Sequence, residues 1–148
     1  MKKVTTILAA TILFFTATAF ATAPEVASTT VKAAFTKDFA KAENATWQKK
    51  ENVYFVSFML NEKSVTVAYN ENGEIAGTSR IIKKEELPMG VALQIAKNYS
   101  GYEIGNAITE VSANGQTSYY FSADSKKQLL NLKADSDGQI SVESKMKK

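Results

Sequence analysis

Apolar and polar positions alternate with period two along most of this chain, and two stretches of helical period interrupt the alternation. Tyr54, Val56, Phe58 and Leu60 take every second position, as do Val65, Val67 and Tyr69. That alternation marks strands with one buried face. Before them, Val31, Ala34, Phe35, Phe39 and Ala42 fall on one side of a helix, with Lys32, Lys37, Asp38 and Lys41 on the other. Ser28-Thr29-Thr30 offers N-caps, so a helix is expected over about 29–42. Strands are expected at 46–50, 53–60, 64–69 and 74–82, with turns at Asn61-Glu62-Lys63 and Asn70-Glu71-Asn72-Gly73.

The pattern then starts again. Glu85-Glu86-Leu87-Pro88 is expected to open a second helix, with Pro88 in its first turn. Val91, Ile95 and Tyr99 form its buried stripe, and Gly101 is the expected residue past its end. Strands are expected near 103–112, 116–123, 128–134 and 139–144. Val31, Phe35, Lys37 and Phe39 recur as Val91, Ile95, Lys97 and Tyr99 at an offset of 60. Tyr54, Val56, Val65, Val67, Gly73 and Ile75 recur as Tyr119, Phe121, Leu130, Leu132, Gly138 and Ile140 at an offset of 65. The same order twice implies a duplicated supersecondary unit. The fold expected is α+β: tandem units, each a helix and a four-stranded antiparallel meander, with both helices on one face of the sheet. The units span about 31–82 and 86–145, and the five-residue difference falls near 102–110.

Composition adds a compartment. Lys2 and Lys3, the apolar run 7–15 and the small residues around Ala19-Phe20-Ala21 read as a signal peptide. Cleavage after Ala21 is expected, because Pro24 disfavours cleavage after Ala23. The threonine-broken run is shorter than the ~20 residues that span a bilayer, so no membrane anchor remains after cleavage. The expected organisation is a signal peptide at 1–21, a linker at 22–30 and one domain at 31–148, in the periplasm or secreted. With no cysteine, disulfides and a lipid-bearing N-terminal cysteine are excluded. Without Lys2 and Lys3 the charges balance at 16 basic to 15 acidic, which gives no footprint for nucleic acid. Lys145-Met146-Lys147-Lys148 reads as a solvated tail.

Candidate chemistry is sparse. The chain has no histidine and no cysteine, which removes the usual general base and the thiol and Ser-His nucleophiles. The Asp/Asn-Gly loops at 70–73 and 135–138 lack the first and twelfth ligands of a calcium loop, where Ala68, Lys133, Ser79 and Ser144 stand instead, so they read as hairpin turns. No catalytic residue, cofactor or metal is expected. What remains is the sheet face away from the helices. If Tyr54, Val56 and Phe58 point inward, Phe55, Ser57 and Met59 point outward, and Tyr120 takes the place of Phe55 in the second unit. Trp47, Phe55, Met59 and Tyr120 are therefore the candidate partner face, on a surface otherwise polar at Thr66, Ala68, Asn131 and Lys133.

These residues also carry a resemblance. Val31-Lys32-Ala33-Ala34-Phe35, Phe39-Ala40-Lys41-Ala42, Trp47, the strand 54–58 and Tyr69-Asn70-Glu71-Asn72-Gly73-Glu74-Ile75 belong to it. So do Leu87-Pro88, Ile95-Ala96-Lys97-Asn98-Tyr99, Tyr120 and Asp135-Ser136-Asp137-Gly138-Gln139-Ile140. Over nearly the whole mature chain the pattern resembles the beta-lactamase-inhibitor-like, PepSY-like periplasmic proteins of Bacteroidetes. The resemblance implies tandem α-β4 units, export and a non-enzymatic role in binding. PepSY modules also occur in peptidase propeptides, which implies possible inhibition. Two functions are therefore expected as alternatives: engagement of an unidentified protein or peptide through the open sheet face, or small-ligand binding and envelope-stress duty.

Overall fold

The computed structural model describes residues 27–148. The expected signal peptide and most of the linker lie outside these residues. Helix α1 (Thr29–Asp38) is followed by β1 (Glu43–Lys50), β2 (Val53–Leu60), β3 (Lys63–Asn70) and β4 (Ile75–Ile82). A single 3-10 turn (Lys84–Glu86) leads to helix α2 (Met89–Asn98). Then come β5 (Glu103–Ile104), β6 (Ile108–Ala113), β7 (Gln116–Asp124), β8 (Gln128–Asp135) and β9 (Ile140–Lys147). The strands form one antiparallel sheet in the order β1-β2-β3-β4-β6-β7-β8-β9, with β5 beside β7. The junction that the sequence left open is β4 against β6, from Gly77↔Ala113 to Ile82↔Ile108.

Local chemistry explains the elements and the departures. The Ser28 hydroxyl accepts from the Val31 amide at 3.3 Å and caps α1. This helix ends at Asp38, short of the expected 42, because Phe39 leaves helical geometry and lays its ring 4.9 Å from that of Phe58. Pro88 is the N-cap of α2 and not part of its first turn. The proline holds Leu87 extended, so Glu85 and Glu86 belong to the separate 3-10 turn. Gly101 lacks the left-handed conformation expected of a C′ glycine. The single strand expected at 103–112 is broken in two. The Gly105 amide donates to the Ser122 carbonyl at 3.0 Å, and a Cβ there would lie 2.5 Å from Ser122 Oγ, so the chain steps sideways at a residue with no side chain.

Register fixes the faces. Cross-strand partners share a side of the sheet. Val67↔Thr78↔Ser112↔Thr117 therefore carries the side under α1 across to Tyr119 and Phe121 under α2. Both helices lie on that side, over two separate cores. Under α1 are Val31, Phe35, Tyr54, Val56, Phe58, Val67 and Tyr69, with Trp47 and Phe39 packed against them. Under α2 are Val91, Ile95, Ile82, Ile108, Tyr119, Phe121, Leu130 and Leu132. Each fully buried valine such as Val31, Val56 or Val91 contributes about 1.5–3 kcal/mol. Between the cores runs a polar seam: Arg80 Nε meets Glu110 Oε1 at 2.6 Å, and the Ser112 and Thr117 hydroxyls are 2.9 Å apart.

One turn occurs twice with the same bonding. Asn70 Oδ1 accepts from the amides of Asn72 and Glu74, and Asp135 Oδ1 accepts from those of Asp137 and Gln139. These side-chain oxygens are spent on backbone amides, as hairpin turns require. The turns end in Gly73 (φ +80°) and Gly138 (φ +91°). A Cβ on the first would meet Ala34 Cβ of α1 at 3.1 Å, and one on the second the Gly90 backbone of α2 at 3.0 Å. Each helix is thus seated against a left-handed glycine.

Candidate functional site: the open face of the sheet

Among the described residues both cores lie on the helix side, which leaves the opposite face without a covering helix. The register lays out this face in rows. One row runs Gln48–Phe55–Ala68–Gly77–Ala113–Gln116. The next runs Thr46–Ser57–Thr66–Ser79–Val111–Ser118–Asp135. A third holds Met59 beside Ser64 on one flank, and Ile81–Thr109–Tyr120–Lys133 on the other. The floor is built of small side chains. Ala68 and Val111 are each only 7 % exposed although no helix covers them. Beside them the hydroxyls of Ser57 and Thr66 bond each other at 2.9 Å.

Of the four sequence candidates, Phe55, Met59 and Tyr120 lie on this face, half-buried. Lys133 Nζ lies 5.7 Å from the Tyr120 ring centre. Trp47 is corrected: it does not belong to this surface. It pairs with Val56, a core residue, and its ring stands edge-on to Phe35 at 5.2 Å on the helix side. A register shift between Glu43 and Thr46, with Asn44 at φ +56°, sets which way this edge strand points its side chains. Phe55 and Tyr120 are not neighbours. Four strand steps separate them, about 19 Å, and they stand in different rows. The residue between them that the sequence reading missed is Ile81, 49 % exposed and paired with Thr109 in the row of Tyr120. Its signal was present: Ile81 and Ile82 are adjacent, and one of two consecutive apolar residues in a strand must face away from the core.

The face carries little acid–base chemistry. The shifted tyrosines are on the helix side: burial first, then a 3.1 Å hydrogen bond to Asp38, raises Tyr69 above the usual tyrosine range. Tyr119 is raised by burial and then by Glu110. Among the described residues no three His, Cys, Asp or Glu side chains are placed to hold a metal ion. Two recesses among the described residues are open to solvent, one lined by Ser118, Lys133, Asp135 and Ser141, the other by Glu103, Asp124, Lys126 and Lys148.

With the two helices and the bare sheet in place, comparison with solved structures becomes informative. A DUF2874 family protein from Bacteroides uniformis superposes with a TM-score of 0.68 at 18 % identity, over 82 % of this chain and 90 % of its own. A Bacteroides eggerthii protein provisionally assigned to the periplasm gives 0.69 at 16 %, over 82 % and 89 %. A BLIP-like protein from Bacteroides fragilis gives 0.64 at 14 %, over 82 % and 86 %. This chain shares their fold. The α+β architecture of two helices and one antiparallel sheet, with a BLIP-like neighbour, agrees with the beta-lactamase-inhibitor-like resemblance. No family model and no curated protein matches the sequence. No helix among the described residues is long and apolar enough to cross a membrane.

Proposed function

We propose that this chain is an exported, non-enzymatic binding module that engages a protein or peptide through the open face of its sheet, in the periplasm or outside the cell. The observation that carries the reading is a sheet face that no helix among the described residues covers, where Phe55, Met59, Ile81 and Tyr120 stand around a floor of Ala68, Gly77, Ser57, Thr66 and Ser79. Aromatic and methionine side chains above a close-packed floor suit a partner's loop or side chain. The likeness to a BLIP-like fold supports an inhibitory form of this binding. The recurring turns and the two helix-covered halves support an origin by tandem duplication. Small-ligand binding has less support, since the two recesses are open to solvent and lined by charged side chains.

The test is capture from envelope extract with immobilised mature protein, wild type beside Phe55→Ala/Tyr120→Ala. Loss of the captured species in the variant is expected. Equal recovery from both would sink the open-face reading.

A further inference from the structure

The opposite flank of the molecule holds a second feature. Three of the four residues that read as a solvated tail, Lys145, Met146 and Lys147, are part of β9, and Lys148 follows it directly. Lys145 pairs with Leu130, Met146 with Leu129 and Lys147 with Gln128, and the Lys148 amide donates to the Lys127 carbonyl at 3.1 Å. This pairing places Lys145, Lys147 and Lys148 beside Lys126 and Lys127 of the β7–β8 turn, all exposed. Five of the 16 cationic side chains of residues 27–148 are thereby held at one corner of a nearly neutral protein. Three acids lie near them, and two of these, Glu103 and Asp124, line one recess with Lys126 and Lys148. Asp124 Oδ1 meets Lys148 Nζ at 2.5 Å. Glu143, further along the strand, accepts from Ser141 Oγ at 3.3 Å.

This corner is also a sheet edge. Among the described residues β9 pairs only with β8, so its outer row of backbone amides and carbonyls has no strand partner there. Lys145 and Lys147 project on the helix side, while Met146, 55 % exposed, projects on the other beside Leu129. An added strand would thus meet positive charge on one face and an apolar contact on the other. The opposite edge, β1, has no such excess: it carries Glu43 with Lys49 and Lys50, and Lys49 lies over the Tyr54 ring at 5.1 Å.

We propose that β9 is a second binding edge, which takes an extended acidic segment of a partner protein as an added strand. Backbone pairing supplies the affinity, and the lysines select acidic residues at alternate positions. The site is separate from the open face, and its test distinguishes the two.

A dye-labelled peptide of alternating glutamate and valine is titrated with the mature protein by fluorescence anisotropy. A second peptide carries proline at the valine positions, which keeps the charge and removes strand pairing. The alternating peptide should bind, bind more weakly at high salt, and weaken about tenfold with Lys145→Gln/Lys147→Gln. Phe55→Ala/Tyr120→Ala should leave it unchanged. An unchanged melting temperature confirms that the lysine variant is folded. Equal binding of the proline peptide, or equal competition by vesicles of an anionic phospholipid, would overturn strand addition in favour of charge alone. Absence of binding would leave the lysines only the duty of keeping a bare edge from aggregating, and would overturn the proposal as well.

Discussion

The α1 half and the α2 half each lay one helix over the same side of one sheet, yet fill the space beneath with different chemistry. Under α1 the core is aromatic: Phe35 contacts Phe39, Trp47 and Phe58 with ring centres 5.1 to 5.8 Å apart. Under α2 it is mainly aliphatic, built on Leu87, Val91, Ile95, Ile104, Ile108, Leu130 and Leu132, with Tyr119 and Phe121 as its buried aromatic residues. The outer faces also differ. α2 exposes Met89 and Leu93, where α1 has Thr29 and Ala33. The first half ends in an edge strand, β1, whereas the corresponding β6 is central and joins the halves. The difference teaches that what the pattern repeats is position and burial. Side-chain identity is free to drift so long as volume and turn chemistry are kept.

The independence of the cores can be broken most directly by truncation. Phe35→Ala should cost about 3–5 kcal/mol and Leu132→Ala about 2–5 kcal/mol, read by urea unfolding. Because the residues belong to separate clusters across a polar seam, the double variant should be additive within about 0.5 kcal/mol. A larger coupling would show that the halves are one core. The seam itself adds little: Arg80, 48 % exposed in its side chain, pairs with Glu110 in a bridge worth roughly 0–1 kcal/mol.

The two glycine turns sharpen the comparison at the next level. Gly138→Ala forces a side chain to positive φ and against the backbone of α2, and should cost about 2–4 kcal/mol. Gly73→Ala has the same backbone strain but meets the methyl of Ala34, and should cost about 1–2 kcal/mol. Melting temperatures of the two variants, each also probed with far-UV circular dichroism, decide it. Equal losses would mean that strain alone governs both turns.

The smallest difference is one of pH. Tyr69 donates to Asp38 at 3.1 Å, while the residues 65 and 60 positions on are Ala134 and Asn98. Burial, and then Asp38, favour the neutral phenol in the folded state. Because the folded pKa is raised, this stabilisation is complete below the ordinary tyrosine pKa of about 10 and is lost as pH rises past it. Wild-type stability should therefore fall more steeply above that pH than that of Tyr69→Phe. Parallel alkaline profiles would remove the tyrosine from the account. The deficit should fall on the α1 half, which amide hydrogen exchange measures residue by residue.

Legibility followed the range of the interactions. β2 was expected at 53–60 and is found there, because a strictly alternating strand needs no partner to declare itself. The turns at 70–73 and 135–138 were legible for a similar reason: Asn, Asp and Gly bond within their own few residues. Three of the four face candidates were placed by alternation alone. Trp47 was not, because its strand has a bulge and only pairing with β2 shows which way it points. Lys145 to Lys148 failed likewise, since a polar run resembles a tail until Leu130, Leu129 and Gln128 stand beside it.

By itself the sequence determined the helices, the meanders, the two inward-facing stripes and the repeated turns, because period, turn chemistry and burial preference are local properties of the chain. Tertiary structure alone decided that β4 joins β6, that Gly105 splits a strand over Ser122 and that five lysines gather at one edge. Each of these depends on which distant strand supplies the neighbouring hydrogen bonds. Pairing between strands is a property of two segments together, and neither segment carries it alone.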